Sequence, residues 1–219
     1  MENKRVNGAN GAAARWLAIH DELLRGITHA LSNRIATIGA TSYMLEHGDV
    51  RVEQTIEALR DESERMDTLL QQLRQLPERP GAEGEPMTVG DAIANAIRVH
   101  AHHGDWRDFE CDIVEDPDVY PIWAEPQSFT HAILVALTAA KRNAVPGSRV
   151  TIRVTGDANV VRIGAMAVEA NAEGAGLNGV DAEAASWLLS VQGGTARTLD
   201  HGCELEVPTL LAVRRARKG

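Results

Sequence analysis

Leu23-Leu24-Arg25-Gly26-Ile27-Thr28-His29-Ala30-Leu31-Ser32-Asn33-Arg34-Ile35 reads as the middle of a long helix, and the rest of the chain can be placed from it. At about 100° of rotation per residue, Leu24, Leu31, Ile35, Ile38 and Leu45 all fall within roughly 80° of Ile27, one apolar stripe that needs a partner. His29 stands roughly 165° from the centre of that stripe, and Asn33 lies beside it one turn on. His29 is therefore expected in solvent with Asn33 as its neighbour. His20 falls on the apolar side and reads as a structural histidine.

Working outward, the residues up to about Gly11 are polar and rich in Gly and Asn and are expected to be loose. The first helix then runs from about Ala12 to Glu46. His47-Gly48-Asp49 joins a glycine stop to an acidic start, so a second helix follows from about Val50 and the pair forms a hairpin. Val52, Ile56, Leu59, Ser63, Met66, Leu70 and Leu73 recur at steps of four and three, a heptad seam interrupted only by Ser63. So narrow a seam calls for other helices. Two hairpins from two copies would close a four-helix bundle, which predicts a homodimer; the alternative is a monomer whose hairpin packs on its own second half. The acidic run from Glu57 to Asp67 reads as the solvated face of this helix.

Pro77 to Pro86 is rich in Pro and Gly and reads as a linker. Beyond it the pattern changes. Helices are expected over about Val89–His102, Gln127–Ala144 and Ala182–Val191, and strands over Phe109–Val114, Val119–Trp123, Arg149–Thr155 and Val160–Ala165. A last hairpin follows over Ala196–Leu199 and Cys203–Val207. Helices against one mostly antiparallel sheet make an α+β layer. The resulting domains are a hairpin at 12–76, a linker at 77–86, a layered domain at 87–210 and a solubilising basic tail at 211–219.

Ile27-Thr28-His29-Ala30-Leu31-Ser32-Asn33-Arg34-Ile35 resembles the H-box of two-component sensor histidine kinases, roughly I-S-H-E-L-R-N-P-L. Ala30 replaces the acidic residue and Arg34 the proline. The resemblance extends through the second half, where Ala144-Val145-Pro146-Gly147-Ser148-Arg149 looks like the segment after the family's N-box. Gly193-Gly194 through Glu206-Val207-Pro208 looks like the domain's end. It implies a dimerising phosphoacceptor hairpin followed by an ATP-binding domain, with His29 as the phosphoacceptor and Asn33 orienting the histidine or a water. In this register Ala140, with Ala136 one turn before, stands where the family holds magnesium. Ala165 and Ala167 stand where it uses an aspartate against adenine and a glycine. A hard cation needs oxygen donors, so the domain reads as degenerate and no ATP is expected. Gly174-Ala175-Gly176-Leu177-Asn178-Gly179 resembles a worn phosphate loop; as residues alone it is a Gly-rich turn before a helix.

The net charge of −9 over 219 residues argues against a nucleic-acid partner, because that affinity rests on Lys and Arg neutralising phosphates. No window is long and apolar enough to span a bilayer, no signal-peptide core follows Met1, and the distant pair Cys111 and Cys203 suits reduced thiols, so a cytoplasmic protein is expected. His100, His102 and His103 read as a solvated helix end and not a metal site.

Three functions fit these residues. The leading one is a kinase-derived histidine phosphotransfer protein, moving phosphate between receiver-domain aspartates through His29, with Mg²⁺ supplied by the receiver. The second is a non-catalytic scaffold that binds a kinase or receiver. The third, an active ATP-dependent kinase, requires a different register in the second half.

Overall fold

The structure is a computed structural model and describes residues 2–48, 51–75, 84–101, 110–171 and 178–217. It is an α+β fold with a helical hairpin at its N-terminus. Helix α1 spans Glu2–Glu46 and α2 Val52–Gln75. Between them Gly48 adopts φ +74°, the left-handed conformation that glycine enters without a Cβ penalty, and its N–H donates to Leu45 O. Helix α1 begins earlier than the composition suggests: Glu2 to Gly11 continue it. Once Ala12-Ala13-Ala14 is helical, each added residue fixes one more hydrogen bond at little cost.

The second half contains β1 (Glu85–Met87), α3 (Val89–His100), β2 (Cys111–Glu115), β3 (Ile122–Ala124) and α4 (Pro126–Asn143). It continues with β4 (Val150–Gly156), β5 (Val160–Ala167), α5 (Asn178–Leu189), β6 (Thr195–Leu199), β7 (Gly202–Pro208) and α6 (Leu210–Ala216). Five strands pair in the order β2-β4-β5-β7-β6, with β2 parallel to β4 and every other pair antiparallel. The antiparallel β1–β3 pair stands apart. Two corrections to the sequence reading follow. Glu85 and Pro86 belong to β1 and not to a linker, since Glu85 pairs with Ala124 and Pro86 with Trp123; residues 77–83 lie outside the described residues. The basic C-terminus is not a free tail: Thr209 caps α6 by accepting from Ala212 N, and the Arg217 guanidinium sits 4.7 Å from the Trp123 ring centroid.

Helix α4 organises the core. It starts on Pro126, with the Glu125 carboxylate accepting from the N–H groups of Gln127 and Ser128, and it buries residues on every side, including Phe129, Ile133, Leu134 and Leu137. These lie in one apolar cluster with Val150, Ile152 and Val154 of β4, Val161 and Ile163 of β5, and Leu205 and Val207 of β7. The register between β5 and β7 leaves room for glycine alone at 202, where a Cβ would stand 1.9 Å from Ala165 O. His100, expected at a solvated helix end, is buried, because α3 turns Ala92, Ile93, Ala96 and Val99 into the core and carries His100 with them; its Nε2 lies 3.2 Å from Thr138 Oγ1. His102 and His103 lie outside the described residues.

Helix α1 divides between two environments. Its first half buries Ala12, Trp16, Ile19, Leu23 and Ile27 in the same cluster as α4, α5 and the sheet. Trp16 stacks on His131 of α4 with ring centroids 4.6 Å apart. Asp181 of α5, fully buried, takes the Arg15 guanidinium Nε at 2.6 Å and also pairs with Arg142 of α4. Paired charges of this kind hold three helices in register more than they add net stability. Over the second half the expected stripe is only partly covered: Leu24 and Leu31 pack on the core, but Ile35 is 59% exposed. Helix α2 turns Thr55, Glu62 and Leu69 inward, and these repeat every seven residues. Its expected heptad seam is split: Leu59, Met66 and Leu73 are half-buried, Leu73 against the core, whereas Val52 is 54% and Ile56 52% exposed.

Candidate functional site

His29 lies on the exposed side of α1, immediately beyond the half that is buried, with Ile27 at 0% exposure two residues earlier. Asn33 Nδ2 stands 3.5 Å from His29 Nε2. An amide N–H can only donate, so at this spacing Asn33 can face the Nε2 lone pair when Nδ1 carries the proton. Ser32 donates to Thr28 O and Thr37 to Asn33 O, so the neighbouring hydroxyls are turned back onto the helix and away from the imidazole. The site is an exposed, helix-borne imidazole with an amide one turn further on. His20 is half-buried, 6.1 Å from the Trp16 ring and 3.6 Å from Asp21, in the packed half of the helix as expected.

Glu62, not singled out by the sequence reading, fixes this stretch against α2. The Glu62 carboxylate accepts from Arg34 Nη1 at 3.2 and 3.3 Å and from Arg65 Nη1 at 2.8 Å. Glu62 is thus buried and paired, a correction to reading the whole run from Glu57 to Asp67 as a solvated face. The only sequence signal was the arginine at position 34, where the H-box has proline.

The positions assigned to magnesium and adenine by resemblance do not fit those groups. Ala136 and Ala140 of α4 and Ala165 of β5 are buried in the core, Ala167 is nearly so, and none carries an oxygen donor beyond its backbone. The nearest amide on α4 is Asn143, itself buried, and its Nδ2 donates to Ala139 O at 2.7 Å. Residues 172–177, which hold most of the Gly174 to Gly179 stretch, lie outside the described residues; Asn178 and Gly179 open α5. Among the described residues no group of three or more His, Cys, Asp or Glu side chains is placed to hold a metal, and no helix is long and apolar enough to cross a membrane. Burial pushes the Cys111 thiol up to about 11 and the Cys203 thiol up to about 12, so neither supplies a thiolate nucleophile at neutral pH.

The arrangement so defined is a helical hairpin with a surface histidine, joined to a five-stranded α+β layer. No known family profile matches the chain, and no curated protein does. Solved structures similar to it are histidine kinases. The Acinetobacter baumannii histidine kinase AdeS aligns over 83% of this chain and 96% of its own at 11% identity, with a TM-score of 0.43. A histidine kinase ThkA, solved in complex with the response regulator protein TrrA, aligns over 96% of this chain and 68% of its own at 13% identity and a TM-score of 0.46. The mycobacterial sensor histidine kinase MprB aligns over 57% of this chain and 97% of its own at 16% identity and 0.40.

Proposed function

We propose that the protein is a histidine phosphotransfer protein of a two-component phosphorelay, a histidine-kinase-like chain that accepts and returns phosphate on His29 without ATP. The observation that carries this reading is the exposed imidazole with Asn33 at 3.5 Å, on a helix whose other histidine is packed away. Nε2 is a nucleophile as it stands. It attacks the phosphorus of an aspartyl phosphate; the N–P bond forms as the P–O bond breaks, and the aspartate carboxylate leaves with the electron pair. An acyl phosphate is already activated, so the carboxylate missing at Ala30 is not needed as a base. The Asn33 amide, displaced from Nε2 by the incoming phosphorus, is free to donate to a phosphoryl oxygen. Mg²⁺ comes with the receiver domain, whose docking requires only that this face of α1 stay open.

The homodimer belongs to the same proposal. Val52 and Ile56 of α2 and Ile35 of α1 are more than half exposed in one copy, and a second hairpin would cover them in a four-helix bundle. A cytoplasmic place in the cell accords with this role. The scaffold reading is favoured over transfer only if His29 takes no phosphate. Incubation with a panel of phosphorylated receiver domains tests it: acid-labile label is expected on the wild type, and its absence with every receiver would leave the scaffold.

A further inference from the structure

The two places where the H-box pattern is broken, Ala30 and Arg34, open onto the same groove. Ala30 and Arg34 from α1 and Arg65, Thr68 and Leu69 from α2 line a space of about 270 Å³ on the flank of the hairpin. Leu69 is buried and makes the floor, and Thr68 donates its hydroxyl proton to Glu64 O, so the donors that face the space are the two guanidinium groups. The buried Glu62 carboxylate engages Nη1 of each arginine, and both side chains line the groove and stay partly exposed. Two arginines against one carboxylate leave one positive charge in a chain whose net charge is −9.

We propose that this groove binds a small oxyanion, a carboxylate or a phosphate, between Arg34 and Arg65. Guanidinium groups offer paired N–H donors that match two oxygens of such a group, and the tether to Glu62 holds both forks in place before binding, so little side-chain freedom is lost. Alanine at 30 is what keeps the space open. A glutamate there would stand one turn before Arg34, the i to i+4 order in which an acidic residue pairs best with a following arginine, and would occupy the groove itself. On the helical wheel Arg65 lies roughly 130° from the centre of the Val52 to Leu73 seam, so a dimer closed across that seam leaves the groove accessible. The site makes no use of the His29 ring.

The anion has two sources with the same chemistry: free in solution, or carried as an acidic side chain by a docking protein. The probe is inorganic phosphate, titrated into the full chain at low ionic strength against a chloride control, while the arginine Nε–Hε NMR signals are followed. For a free-anion site, the Arg34 and Arg65 signals shift saturably, and His29→Gln leaves the titration unchanged. Arg34→Gln and Arg65→Gln each weaken it about tenfold or more, the loss expected for a hydrogen bond to a charged group. Ala30→Glu, a surface change that leaves the fold intact, abolishes it. For an anion carried by a partner, phosphate shifts nothing, but Arg65→Gln and Ala30→Glu raise KM for transfer from a phosphorylated receiver with kcat unchanged; this arm alone rests on the phosphotransfer reading. The proposal is overturned if phosphate shifts neither signal and KM does not move, or if phosphate shifts the wild-type signals and Ala30→Glu titrates like the wild type.

Discussion

The two halves of helix α1 carry similar residues to different ends. In the first half Trp16, Ile19, Leu23 and Ile27 are sealed against α4 and α5, and His20 is tucked beside Trp16; in the second half His29 and Ile35 are open, at the same helical pitch and in the same element. What separates them is the partner. Where α5 and α4 lie alongside, an isoleucine is core and a histidine is packing; past their edge, Ile35 and His29 are exposed. The buried half makes a rigid base, and the exposed half is held out from it as a platform.

The largest expected effect lies in the buried half. Asp181→Ala removes the fully buried carboxylate that Arg15 and Arg142 share and should cost about 3–5 kcal/mol in denaturant unfolding, the range for breaking a buried ion pair on one side. A cost below 1 kcal/mol would mean that the first half of α1 is not tied to α5 in solution. Next comes a matched pair on one helix. Ile27→Ala should cost about 2–5 kcal/mol, the range for emptying a packed aliphatic site. Ile35→Ala should leave the unfolding of the single chain within about 0.5 kcal/mol. Equal costs would erase the division drawn here.

Ile35 and Ile56 sharpen the comparison through assembly. Light scattering is expected to show a dimer for the wild type and a monomer for Ile56→Asp with its far-UV circular dichroism intact, since a charge placed in an apolar seam is not solvated there. A wild-type monomer at tens of micromolar, the range in which ordinary obligate dimers stay associated, would contradict the bundle.

The last effect is absent at neutral pH and shows only in alkali. Burial, aided by Asp181 and Glu204, raises the Cys203 thiol from an ordinary 9.0 to about 12. The folded state holds that proton more tightly than the unfolded chain does. The contribution is therefore intact below pH 9 and is lost as the pH rises toward 12, so unfolding free energy should decline across that window. Cys203→Ala should flatten the decline, and a thiol reagent at pH 8 should reach Cys203 only in denaturant.

Much of this was legible in the sequence because local rules agree there. Helical spacing placed His29 opposite an apolar stripe, Gly48 marked the turn, and alternation bounded β4, β5 and β7 to within a residue or two. The Ala12 to Ile27 contact was not legible. Its residues are spaced like any amphipathic helix, and only the tertiary arrangement decides whether α2, a second copy or α5 covers them. Glu62 was hidden in the same way: one acid in a run of acids is distinguished by Arg34, which lies 28 positions away in sequence. Pro86 in β1 misled because proline usually marks a break, whereas a two-stranded pair has an outer edge where the missing N–H is harmless.

The central claim concerns one imidazole and the absence of ATP chemistry, and one assay addresses both. Wild type and His29→Gln are each exposed to radiolabelled phosphorylated receiver domains and, separately, to γ-labelled Mg-ATP, and acid-labile label is followed. The account predicts label on the wild type from a receiver, none from ATP, and none on His29→Gln from either, with the variant's melting temperature unchanged. Label from ATP, or label that persists on His29→Gln, would contradict it.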